Sequence, residues 1–96
     1  MMVRYHVLAR QDVLNILEYY ELEADHQIAI KFFAELERSI RNISKRPTAF
    51  PEIAKGVRRC LLNQFPYQIN YEIVDSNELK ILVIKHQRRG PDFGLD

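Results

Sequence analysis

Cysteine is almost missing from this chain of 96 residues: Cys60 stands alone and no internal disulfide can form. That excludes a disulfide-stapled secreted scaffold and fits a reducing cytoplasm. Long apolar runs are missing as well. The longest, Ile81-Leu82-Val83-Ile84, falls far short of the roughly 20 residues that span a bilayer. The opening residues, Met1 to His6, lack the apolar core of a signal peptide. The expectation is a cytoplasmic protein with no membrane partner. Net charge is also scarce, at +1, so nothing attracts the whole molecule to nucleic acid. His6 and His26 have no cysteine or histidine at ligand spacing, so neither a metal site nor a cofactor is expected.

What is present reads as an ordinary globular chain, 47% hydrophobic and 28% charged. Its length suits a single domain over residues 1–96. No repeat, low-complexity stretch or internal linker divides it. The charges are unevenly spread. Asp12, Glu18, Glu21, Glu23 and Asp25 fall in a segment without Lys or Arg, whereas Lys55, Arg58, Arg59, Lys80, Lys85, Arg88 and Arg89 crowd the second half. Such polarity suits a local anionic partner, or simply two solvated faces.

The hydrophobic period changes once along the chain. Arg4–Ala9 alternates and predicts a first strand. Val13, Ile16, Leu17 and Tyr20 then form a helical stripe, with Asp12 its candidate cap. Ala29, Phe32, Phe33, Leu36, Ile40 and Ile43 form a second, with Asp25 as cap, a Glu37–Arg41 pair, and a basic last turn closed by Pro47. The two predict a helical hairpin over about residues 11–45. Pro47–Gly56, with Pro47, Pro51 and Gly56, reads as a loop. Beyond it the period drops to two. Strands are expected at 57–62, 66–74 and 79–86, the second alternating Tyr67, Ile69, Tyr71 and Ile73 with polar residues. Ile81–Ile84 is apolar on both faces, which puts the last strand inside the sheet between the first strand and the preceding one. The fold class is α+β: a β-α-α-β-β-β order, a mostly antiparallel sheet and a two-helix layer on one face.

If the turns keep even parity, Tyr67 lies opposite His86, Arg58 opposite Tyr71, and Tyr71 opposite Leu82. Arg58, Tyr67 and His86 then share one face, and Arg59 lies on the other with Asn70 and Glu72. Arg58, Arg59, His86, Arg88 and Arg89 form a candidate basic rim. Each has a plainer use: His86 as a strand end, the arginines as partners of Glu72 and covers for Tyr71, the tyrosines as packing. Cys60 reads as a small buried residue.

The ordered set of motifs resembles the RelE/ParE toxins. It comprises Val57-Arg58-Arg59-Cys60-Leu61-Leu62, then Phe65-Pro66-Tyr67-Gln68-Ile69-Asn70-Tyr71-Glu72-Ile73, then Ile81–His86 running into His86-Gln87-Arg88-Arg89-Gly90-Pro91. Asp12, Ile16 and Tyr19, then Phe33, Leu36 and Pro47, extend the likeness over the helical half. The resemblance implies the toxin of a bacterial type II toxin–antitoxin pair, with a cognate antitoxin as partner in a hetero-oligomer. It implies one of two activities, which fold alone does not separate. A RelE-like ribosome-dependent messenger RNA endoribonuclease, metal-independent, would use His86 as acid or base, Glu52 as base, and Arg58 or Arg59 for the phosphate. A ParE-like member would bind and poison DNA gyrase through Arg58, Arg59, His86, Arg88 and Arg89. The terminal Gly90-Pro91-Asp92-Phe93-Gly94-Leu95-Asp96 offers Phe93 where some ribonucleases carry a tyrosine. The His-Gln-Arg-Arg-Gly-Pro ending therefore favours the gyrase-binding branch. An inactive member that only binds antitoxin is a further reading, as is an unrelated α+β domain whose basic edge binds RNA.

Overall fold

The computed structural model describes residues 1–88. Strand β1 (Met2–Tyr5) leads into helix α1 (Val7–Glu23), then helix α2 (His26–Lys45), followed by β2 (Glu52–Ala54), β3 (Val57–Leu61), β4 (Tyr67–Asp75) and β5 (Glu78–His86). The strands form one sheet in the order β1-β5-β4-β3-β2. β1 runs parallel to β5 and the other neighbours are antiparallel. The α+β order and the interior position of β5, between β1 and β4, follow the sequence expectation. The expected three strands after the hairpin become four, because Glu52–Ala54 pairs with β3 inside what read as a loop.

The hairpin starts earlier than its apolar stripe suggested. His6, not Asp12, caps α1: its Nδ1 accepts from the Leu8 N–H at 3.0 Å. The first strand therefore stops at Tyr5 instead of running to Ala9. Asp12 does different work. Its Oδ2 accepts from the Ile84 N–H at 3.0 Å, a group that lies past the end of the β1–β5 ladder at Tyr5↔Ile81. A backbone donor left unpaired in the interior is costly, and a charged acceptor on the facing helix removes that cost. Asp25 does cap α2, accepting from the Ile28 N–H at 3.0 Å. Asp25→Ala is expected to cost about 1 kcal/mol, a fall in Tm of several degrees in a scanning melt, while Asp25→Asn stays near the parent.

One face of the sheet carries the helices. Ala29, Phe32, Leu36, Ile40 and Ile43 of α2 are buried, with Ala9 and Ile16 of α1, against Cys60, Ile69, Tyr71, Leu79, Ile81 and Ile84. An aromatic group ties hairpin to sheet: Phe32 meets Phe65 and Tyr67 edge-on at 5.5 and 5.6 Å between centroids, a favoured geometry for ring pairs. Phe33, expected in the core stripe, is 41% exposed. The expected Glu37–Arg41 pair does not form among the described residues, although Arg4–Glu78 and Glu21–His26 do. Two polar residues of α2 are buried, Glu35 and Ser39, and the Glu35 carboxylate accepts from the backbone N–H groups of Asn63 and Gln64 in the β3–β4 turn. No helix among the described residues is long and apolar enough to cross a membrane.

Candidate functional site

Strand register decides which of the candidate residues meet. Tyr67 pairs with His86 and Arg58 with Tyr71, as parity required. A register shift between Asn70 and Tyr71 then skips Leu82, so Tyr71 faces Ile81 instead. The extra residue in β5 returns Ile84 and His86 to the helix-bearing face, with Tyr71 and Tyr67, which is what a bulge does to a pleated strand.

Arg58 and His86 share that face without sharing a site. Four residues along β4 separate their partners Tyr71 and Tyr67, about 13 Å at the strand rise, and two strand spacings add about 10 Å across the sheet. Arg58 is occupied locally. Its guanidinium donates to the Phe50 carbonyl at 2.7 Å and to that of Thr48 at 3.4 Å. Beside it the Tyr71 hydroxyl donates to the Pro47 carbonyl. Together they fasten the segment after α2 onto the sheet. Burial, offset in part by Arg58 and joined by Cys60, pushes the Tyr71 hydroxyl up to about 12, so it stays protonated and donating.

Glu52 lies on the edge strand β2, opposite Arg58, where its Oε1 accepts from the Gly56 N–H at 2.8 Å. Gly56 has φ +74, a backbone state natural to glycine. Three strand spacings and four strand residues put Glu52 on the order of 20 Å from His86. Arg59 lies on the opposite face, across from Asn70. There the Gln68 amide donates to the Asn70 Oδ1 at 2.9 Å, while Arg59 Nε and Asn70 Nδ2 are buried without a partner. The expected single rim of Arg58, Arg59 and His86 is therefore three separate places. Arg89 lies outside the described residues.

His86 and Arg88 do stay together. Gln87 anchors the end of β5 on β4, donating from its backbone to Pro66 and from its side chain to Tyr67. The Arg88 N–H then donates to His86 Nδ1 at 3.1 Å. With Nδ1 accepting, the neutral ring carries its proton on Nε2 and presents a donor there. The ring stands edge-on to Tyr67 at 5.5 Å.

A cleft of about 760 Å³ opens between this corner and α1, lined among others by Asp12, Asn15, Tyr19, Tyr20, Tyr67 and Arg88. Sequence reasoning missed the α1 contribution, because Tyr19 stood out only in the family likeness and Asn15 not at all, and only the fold sets them beside β5. Burial above all, then Tyr67 and Tyr19, pushes the Tyr20 hydroxyl up to about 12, so Tyr20 stays protonated. Burial, with Glu35 nearby, pushes the Cys60 thiol up to about 11, which keeps it an inert thiol. Among the described residues no group of His, Cys, Asp and Glu could hold a metal ion.

Comparison with known proteins agrees with this architecture. Among solved structures, a chain of the chromosomal ParDE TA system from P. aeruginosa superposes with a TM-score of 0.78 at 19% identity. The match covers 90% of this chain and 95% of that one. The curated proteins give no match. The family model described as the ParE toxin of the type II toxin–antitoxin system, parDE, matches residues 3–91. The chain belongs to the ParE toxin family of type II toxin–antitoxin systems.

Proposed function

We propose that this chain is a ParE-like toxin that acts by binding and poisoning DNA gyrase in the cytoplasm, without hydrolytic chemistry, and is neutralised by a cognate antitoxin. The observation that carries the reading is the scattering of the acid–base set a ribonuclease would need. Glu52 caps a turn at one sheet edge, Arg58 holds backbone carbonyls, and Arg59 lies on the far face. His86 has its Nδ1 engaged by Arg88. General acid–base catalysis needs such groups within hydrogen-bond reach of one reacting phosphate. A binding toxin needs only a shaped, charged corner, and the His86–Arg88 end of β5 supplies one.

The antitoxin is assigned to the outer seam of the hairpin. There Tyr5, Val13, Leu14, Phe33, Leu36 and Ile40 line an apolar groove of about 370 Å³, flanked by Arg10 and Glu37. Leu14 is 61% exposed and Phe33 41%, and both line this one groove, a grouped apolar exposure of the kind that partners cover. An amphipathic helix or extended segment with apolar anchors and flanking charges of both signs fits this groove, in the manner of peptides that fold on binding. A gene for such a small protein, with a DNA-binding head, is expected beside this one.

Inducing the chain alone in a bacterium tests the reading. Growth should stop, with chromosomal breaks and intact messenger RNA, and co-expression of the neighbouring gene should restore growth. Fragmented messenger RNA with an intact chromosome would move the protein to the ribonuclease branch. Free growth without the neighbour would leave no active toxin.

A further inference from the structure

The cleft between α1 and the end of β5 has an α1 wall, Asn15 and Tyr19, that neither the core nor the proposed gyrase contact at His86 and Arg88 uses. Tyr19 is 55% exposed. It meets Tyr20 edge-on at 5.4 Å, and Tyr67 and His86 continue the aromatic wall. Asn15 sits one helical turn before Tyr19, and its Oδ1 accepts from the Gln11 amide at 2.9 Å, which orients the group and leaves its nitrogen to donate. Arg88 is exposed and appears in no ion pair of the described residues. His86 carries its ring proton on Nε2 because Nδ1 already accepts.

These groups select a ligand by elimination. A purely apolar ligand would waste the amide and the cation, and a bare anion would make no use of the rings. A metal ion finds no ligand group among the described residues. An apolar peptide face is better served by the separate groove on the outer seam of the hairpin. A nucleotide uses the rings, the amide and the cation together: a flat base against an aromatic side chain, an amide for polar atoms on the base edge or sugar, and Arg88 with the His86 N–H for a phosphate, while Asp12, which also lines the cleft, accepts from the Ile84 N–H. The volume, about 760 Å³, lies within the ordinary range for small-ligand sites.

We propose that this cleft binds one unstacked nucleotide, with its base on Tyr19 and its phosphate on Arg88 and His86. The nucleotide is either free or part of a single strand, and both share the same base-and-phosphate chemistry. The inference rests on the lining alone and does not need gyrase to be the target.

The test titrates the purified full-length chain with deoxythymidine monophosphate and, separately, with an oligothymidylate, followed by residue-resolved NMR. Shifts concentrated at Asn15, Tyr19 and His86 are expected, and binding of either probe supports the site while their relative affinities identify the source. Tyr19→Ala should weaken binding about fivefold or more, the lower end of a base–ring stack, whereas Tyr19→Phe keeps the ring and the affinity. Arg88→Gln should flatten the salt dependence. Leu61→Ala, an exposed change on the opposite face of the sheet, should alter nothing, and thermal melts should show each variant folded. No binding of either probe, shifts confined to other surfaces, or full affinity in folded Tyr19→Ala would overturn the proposal. Gyrase poisoning scored beside it keeps the two readings apart. A chain that poisons gyrase but takes no nucleotide sinks the cleft proposal alone. One that takes the nucleotide and leaves gyrase untouched sinks the topoisomerase reading alone.

Discussion

Replacing Arg88 and Arg89 together with glutamine is expected to abolish poisoning, while His86→Ala keeps most of it. Arg88 is exposed at the end of β5 and belongs to none of the ion pairs among the described residues. Its charge is therefore available to an anionic target surface, and Arg89 follows directly in the sequence. Removing a charge that becomes buried and hydrogen-bonded in a complex costs about 2–5 kcal/mol, roughly 30-fold to several-thousand-fold in affinity. His86 contributes differently. Its Nδ1 accepts from the Arg88 backbone and its ring leans on Tyr67, so alanine there loosens a corner without deleting a charge. A ribonuclease centred on His86 would give the reverse ranking, because losing a general acid or base typically costs 10²–10⁴-fold in rate. Growth inhibition on induction gives the ranking, provided each variant keeps its thermal transition and its antitoxin binding. Cys60→Ala is the matched control. The thiol is buried and raised out of the reactive range by that burial, so toxicity should persist. Full toxicity in both the arginine and the histidine variants would mean that this corner is not the site.

The largest stability effect is expected at Glu35. Its carboxylate is 3% exposed and holds the backbone N–H groups of both Asn63 and Gln64. Alanine would leave two partly buried donors unpaired, at about 1–3 kcal/mol each. The sum, about 2–6 kcal/mol, is a large share of the roughly 5–15 kcal/mol that stabilises most native domains. A fall in Tm of more than about 10 °C should follow. Glu35→Gln keeps one acceptor oxygen but puts an NH₂ group where the second oxygen stood, and should lie between the two. The turn leads through Phe65 to Tyr67, so the damage extends toward the aromatic wall of the cleft. A Glu35→Ala protein that melts with the parent would show the turn to be held by other contacts.

Much of this fold was legible in the residues, and what escaped has identifiable causes. The α2 stripe was clear because its apolar residues recur at helical spacing with polar residues between. The pairings of Arg58 with Tyr71 and Tyr67 with His86 followed from parity across short turns. The helix start did not, since Arg4–Ala9 alternates by accident and histidine is an uncommon cap. Strand β2 is three residues long inside a segment rich in turn formers, too short for any period to register. The bulge at Leu82 leaves no mark on a run that is apolar at every position. Arg58 and Glu52 looked like phosphate and proton groups because sequence shows charge without showing partners. The fold brings Arg58 to the carbonyls of Thr48 and Phe50 and turns Glu52 onto its own strand's turn. The cleft was invisible for a related reason: Asn15 and Tyr19 meet the end of β5 only across some seventy residues of chain, a juxtaposition no local pattern encodes.

The most direct measurement is a cleavage assay with purified gyrase, supercoiled plasmid and the full-length chain, run beside a ribosome-programmed messenger RNA assay. Trapped DNA breaks that rise with toxin and vanish when the antitoxin is added are expected, with messenger RNA that stays intact. Untouched gyrase together with cut messenger RNA would contradict the gyrase reading.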